Sequence, residues 1–206
     1  MKLLAYDGSF SGFISLIYFC ITKGIKPDYI FKFNNLPGLP VIKIKNLNIP
    51  LITKYLTSKL GKDELQNIYY AYLSEIENIE SFIISYIFYR INNGYNSKIN
   101  MMFQKIVKNV LYEISDLSTN LIFSKVNNIF FAKIKPYNNV IFPLSNYFSR
   151  KLPRETWIIY DVMRSSAILH LNRKNLMLNN VNFKIETKSD FVTHLWENII
   201  RGKKIS

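Results

Sequence analysis

Two short blocks hold the side chains best suited to chemistry in this chain. The first is Tyr6-Asp7-Gly8-Ser9-Phe10-Ser11-Gly12-Phe13; the second is Trp157-Ile158-Ile159-Tyr160-Asp161, with Arg164 three residues further on. Each sets polar groups at the end of an apolar segment, where a strand edge presents them to a ligand. Asp7 and Ser9 fall where a strand meets a helix start. Free backbone N–H groups there favour an anion, and Gly8 and Gly12 let it approach closely. The same two residues can instead cap the helix. Asp161 can hold a ligand or accept from Arg164, while Tyr160 can stack on a base or fill the core. Asp7 and Asp161 serve as general acid and base only if both converge on one pocket.

Other chemistries lack the residues they need. Cys20 is the only cysteine, which excludes an internal disulfide and a thiolate cage for zinc or iron–sulfur. It lies in the apolar run Phe13–Ile21 and is expected to be a buried, inert thiol. His170 and His194 are the only histidines and form no metal-binding pair. No P-loop and no Gly-x-Ser-x-Gly nucleophile turn is present. No metal and no cofactor of its own is therefore expected.

The formal net charge is +13, from 27 basic and 14 acidic residues. Residues 23–60 carry seven lysines against Asp28, and residues 124–174 carry nine basic side chains against Glu155 and Asp161. Two basic segments on one face suit a phosphate backbone, with Lys133, Lys135, Arg150, Lys151 and Arg154 as candidate contacts. Lysine outnumbers arginine 21 to 6, and lysine is the weaker fork for bases. No secretory signal is evident. The apolar run Phe10–Thr22 covers only about 20 Å as a helix, short of a ~30 Å bilayer core. A cytoplasmic protein without membrane contact is expected.

The elements that must position these groups follow from periodicity and punctuation. Lys2–Tyr6 reads as a strand, Ser9 as the N-cap of a helix over Phe10–Lys23, and Gly24 as its stop. Strands follow at Tyr29–Lys32 and Pro40–Lys45. Helical patterns occupy Leu51–Leu60, a segment capped by Asp63, then Glu77–Ile91, and a stripe from Ile99 to Ile114. A hairpin is predicted from Leu121–Ser124 and Ile129–Lys135, then a helix over Pro143–Lys151 and strands at Trp157–Tyr160 and Ala167–Leu171. Asn182–Glu186 reads as extended, with a terminal helix from Ser189 or Asp190 through Ile200. The expected architecture is α+β in a single domain over residues 1–206: small sheet-bearing N- and C-terminal parts with a central helical block at about 51–117.

The opening block, the helix Ala71-Tyr72-Leu73-Ser74-Glu75 and the segment from Phe148 through Trp157-Ile158-Ile159-Tyr160-Asp161 to Arg164 together resemble a bacterial family described as "probable DNA metabolism protein". That family was defined as a domain of unknown function. The resemblance covers about residues 1–171. It implies a companion role beside a radical-SAM DNA repair protein, and in some relatives fusion to a uracil-DNA-glycosylase-like domain. Departures are visible: Ser115 and Asp116 stand where a His-Arg pair follows the glutamate matched by Glu113, Ile122 replaces an arginine, and Tyr147 a histidine. The resemblance implies a DNA-metabolism accessory protein that binds DNA or its repair partner, with iron–sulfur cluster and S-adenosylmethionine on the partner. The candidate cleft comprises Tyr6, Asp7, Gly8, Ser9, Gly12, Trp157, Tyr160, Asp161 and Arg164. Two rival readings stand beside it: an enzyme acting on a nucleotide or DNA base through Asp7 and Asp161, and a scaffold in which these residues only cap and pair.

Overall fold

The computed structural model describes residues 2–181 except 35, 37, 39, 46, 94–96 and 127. The predicted strand over Asn182–Glu186 and the predicted terminal helix lie outside the described residues. The architecture is α+β, with a three-stranded sheet, a five-stranded sheet and six helices among the described residues. The chain divides into two compact units, Met1–Val110 and Leu111–Ser206.

The first unit is built on a strand buried along its whole length, β1 (Leu3–Tyr6). It pairs in parallel with β2 (Tyr29–Lys32) on one side and β3 (Ile42–Lys43) on the other. Parallel neighbours need a crossover, and α1 (Phe10–Lys23) supplies it between β1 and β2. Its bounds are those expected from Ser9 and Gly24. The Ser9 hydroxyl accepts from the Gly12 N–H, and Gly24, at φ 61°, closes the helix in the left-handed region that glycine enters without strain. β3 is shorter than the predicted Pro40–Lys45, because only Ile42 and Lys43 find partners on β1.

Four helices complete the central block: α2 (Ile49–Leu60), α3 (Lys62–Tyr72), α4 (Ile79–Asn93) and α5 (Ser97–Asn120). Asp63 is not the cap of α3. The helix starts at Lys62 after Gly61, so Asp63 and Glu64 sit in its first turn, where they complement the positive end of the helix. The core joins Leu4, Tyr6, Phe13, Leu16, Ile52, Leu56, Ile68, Ile83, Ile87, Phe103 and Val107. Within it Tyr86 stacks on Phe103 with ring centroids 3.8 Å apart.

The second unit carries a sheet ordered β4-β5-β6-β7-β8. β4 (Ser124–Val126) and β5 (Ile129–Ile134) form the predicted hairpin, with the first strand displaced so that Val126 pairs with Ile129. β5 runs parallel to β6 (Trp157–Asp161), joined by the crossover helix α6 (Ile141–Lys151). β7 (Ser166–Leu171) and β8 (Lys174–Leu178) add antiparallel strands. α6 buries Ile141, Leu144, Ser145 and Phe148 at i, i+3, i+4, i+7 spacing, one apolar stripe against the sheet. Phe148 meets Trp157 edge-on, and Trp157 stacks flat on His170 at 4.8 Å.

Among the described residues, no helix is long and apolar enough to cross a membrane. Cys20 is 1% exposed within the first core, and burial pushes its thiol from the ordinary 9.0 up to about 12. The folded chain thus keeps a proton that the unfolded chain sheds above about pH 9, so this contribution to stability is complete below pH 9 and is lost as pH rises towards 12. Native protein should resist thiol alkylation at about pH 8 and react promptly in denaturing urea. The urea midpoint should fall on raising the pH from about 8 to about 10.5, and less steeply in Cys20→Ala.

Candidate nucleic-acid interface

In the first unit the sequence places Tyr6, Asp7, Gly8, Ser9 and Gly12 at the carboxyl end of the central strand. Asp7 is exposed, and its Oδ1 accepts from the Ser9 N–H at 2.9 Å and the Ser9 hydroxyl at 2.7 Å. Ser9 Oγ accepts in turn from the Gly12 N–H at 3.0 Å. The helix start is thereby capped from within. Behind it lies a buried phenol relay. Tyr6 Oη donates to Glu80 Oε1 at 2.7 Å, Tyr72 Oη donates to the Gly8 carbonyl at 2.6 Å, and Lys32 Nζ stands 3.8 Å from Glu80. Burial, and after it the Glu80 charge, holds the Tyr6 phenol well above its ordinary range; burial also raises that of Tyr72. These tyrosines stay protonated and act as donors. Gly8 takes φ 82°, which lets its carbonyl face Tyr72.

The other block, Trp157, Tyr160, Asp161 and Arg164, belongs to the second unit. Asp161 is 0% exposed. Its Oδ1 accepts from the Met163 N–H at 2.9 Å and the Arg164 N–H at 3.4 Å, and its Oδ2 from Arg164 Nη1 at 2.9 Å. The guanidinium continues outward, with Nη1 donating to the Pro136 carbonyl at 3.3 Å and Nη2 to the Tyr137 carbonyl at 2.8 Å. Tyr160 is half-buried against the sheet cluster and donates to the Val181 carbonyl at 3.3 Å. Trp157 is fully buried, and its indole N–H meets no acceptor among the described residues.

One residue that fixes the loop beside Arg164 does so through contacts distant in sequence. Glu113, from α5, receives the Tyr137 N–H at 2.6 Å, the Asn138 N–H at 2.8 Å and the Asn138 side-chain amide at 2.7 Å. Its place beside the altered pair Ser115 and Asp116 was the only signal available.

The basic candidates sort by strand register. Lys125 pairs with Phe130, which aligns with Trp157, His170 and Asn175 across the sheet. Ser149 Oγ donates to Asn175 Oδ1 at 3.0 Å, which places the last turn of α6 at this same end. Arg150 and Lys151 occupy that turn, where they complement the negative helix end. Arg154 follows, and Arg173 and Lys174 sit at the β7–β8 turn. Lys133 near the other end of β5 and Lys135 just past it lie about 10 and about 17 Å from Phe130 at the rise of a strand. All eight of these cations are exposed, and Glu155 is the only exposed carboxylate among the described residues between 121 and 181. Asn172 and Arg173 both take positive φ, 50° and 62°, in a two-residue hairpin turn. Glycine commonly fills the second of those places, so an arginine there holds a cation at the tip at a cost of about 1–2 kcal/mol.

Among the described residues, no cluster of histidine, cysteine, aspartate or glutamate could hold a metal ion. A family model described as a domain of unknown function, DUF4130, matches residues 70–205. No curated protein matches the chain.

Removing one half of a buried ion pair strands the other. Asp161→Ala should cost about 3–5 kcal/mol of unfolding free energy by urea titration. Tyr6→Phe, which takes away one donor to a carboxylate, should cost about 2 kcal/mol.

Proposed function

The chain belongs to the DUF4130 family, a domain of unknown function, and we propose that it is an accessory protein of DNA metabolism that binds nucleic acid through the basic surface of its second unit. The observation that carries this reading is the surface charge: eight exposed cations against the single exposed carboxylate of Glu155 between residues 121 and 181. Asp161 does not offset them, because it is buried and already paired with Arg164. A surface of this sign attracts a phosphate backbone and binds it by releasing counterions.

The residue types set the expected mode. Most of these cations are single-point or flexible donors at turns and helix ends, which fix a backbone without reading its sequence. Binding should therefore be indifferent to sequence and sensitive to salt. The resemblance to DNA-metabolism proteins supports DNA as the polyanion, a cytoplasmic setting and a radical-SAM repair protein as companion. An iron–sulfur cluster and S-adenosylmethionine would then reside on that companion, since this chain has one cysteine and it is buried. Asp7 and Asp161 hold structure, each within its own unit: the first helps to cap α1, and the second fixes Arg164.

Duplex DNA titrated across a salt series should give log K falling against log salt with a slope near −3.6 if about four phosphates are neutralised. Absence of binding at low salt up to high micromolar protein would overturn the reading. Arg173→Gly should move two quantities in opposite directions. Stability should rise by about 0.5–1 kcal/mol as the left-handed strain is relieved, while DNA affinity drops and the salt slope loses about 0.9 for the contact removed.

A further inference from the structure

We propose that Tyr137 is a stacking platform for an unpaired nucleobase, held in place by Glu113 and Arg164; this rests on the nucleic-acid reading above and names the form of nucleic acid recognised. The loop from Lys135 to Asn139 joins β5 to α6 at the carboxyl ends of the two parallel strands. Its backbone is gripped from two directions. Glu113 takes the N–H groups of Tyr137 and Asn138, and Arg164 gives to the carbonyls of Pro136 and Tyr137. Arg164 is itself fixed by buried Asp161.

Pro136 and Asn138 point inward and are buried, whereas the Tyr137 side chain between them stands 70% exposed. A large ring on a mobile loop loses ordering entropy when it binds. Here that entropy has already been given up, because every polar group of the Tyr137 backbone is committed. Lys133 and Lys135, both exposed, lead into the loop and supply the positive charge that a nucleotide's phosphate seeks. An exposed tyrosine alone is unremarkable on a protein surface. Two charged side chains devoted to immobilising its backbone, beside two lysines, give the ring a direction and a matching electrostatic field. Bases of a duplex are stacked on one another and offer no free face, so the partner is single-stranded.

The test compares a labelled oligothymidylate with a duplex of equal length, at one salt concentration, by fluorescence anisotropy on the full chain. Tyr137→Ala should weaken oligothymidylate binding about tenfold and leave the duplex within about twofold, with Tyr137→Phe retaining wild-type affinity. The salt slope should stay unchanged, since no cation is removed. Glu113→Ala should lose the same factor on oligothymidylate, and the double variant Glu113→Ala with Tyr137→Ala should lose no more than either alone. Equal oligothymidylate affinity for wild type and Tyr137→Ala overturns the stacking role while leaving nucleic-acid binding intact. Equal losses on both probes overturn it too, because they assign the tyrosine to the fold or the backbone contact. Wild-type protein that binds neither probe overturns this inference and the reading beneath it together. The thermal midpoint of Tyr137→Ala, a change to an exposed side chain, should match wild type and so separates stacking from misfolding.

Discussion

A carboxylate cut off from water must find its donors inside the protein, and the way Asp161 does so organises the second unit. It sits at the last position of β6, where the chain has to reverse into β7. Two backbone N–H groups of the reversal satisfy one oxygen, and the guanidinium three residues on satisfies the other. The same guanidinium also reaches carbonyls 27 and 28 residues away in sequence. One buried charge thus ties a hairpin to a crossover loop. A buried pair of this kind contributes more to specifying an arrangement than to net stability, because desolvation offsets most of the attraction.

The first unit solves a related problem chiefly with neutral donors. A parallel sheet of three strands leaves the central strand's end close to the start of the crossover helix, and the polar groups there need partners. Ser9 and Asp7 satisfy the helix N–H groups on the outside. On the inside, Tyr6 and Tyr72 are neutral phenols that donate to the Glu80 carboxylate and to the Gly8 carbonyl. The stacked rings of Phe13 and Tyr72, 5.1 Å apart, cover this relay with apolar surface. Uncharged donors suit such a place, since burying a hydroxyl that keeps a hydrogen bond costs far less than burying an ion.

Local signals were legible and non-local ones were not. The ends of α1 followed from a serine cap and a glycine stop, and α6 was legible from Pro143 to Lys151, two residues short of its start. β6 and β7 followed from runs of buried aliphatic residues. β8 went unseen because Lys174-Asn175-Leu176-Met177 is exposed and has no β-branched residue; its strand state comes from pairing with β7. Asp63 resembled a cap by residue type, but Gly61 moved the helix start ahead of it. Of the candidate site, the aspartate and arginine of the second block were evident from their spacing, yet their purpose was not. Nothing local distinguishes Tyr137 among 14 tyrosines, since its fixed backbone depends on Glu113 and Arg164, both more than twenty residues distant.

The flat contact between Trp157 and His170 gives the second unit an optical signature. An imidazole stacked on an excited indole can accept charge from it, a path that competes with emission. The ring pair is maintained by α6 on one side and by Asn175 and the Pro153 carbonyl at the edge. Any event that lifts α6 or separates β6 from β7 would release that quenching, so the emission of this indole brightens as the sheet comes apart.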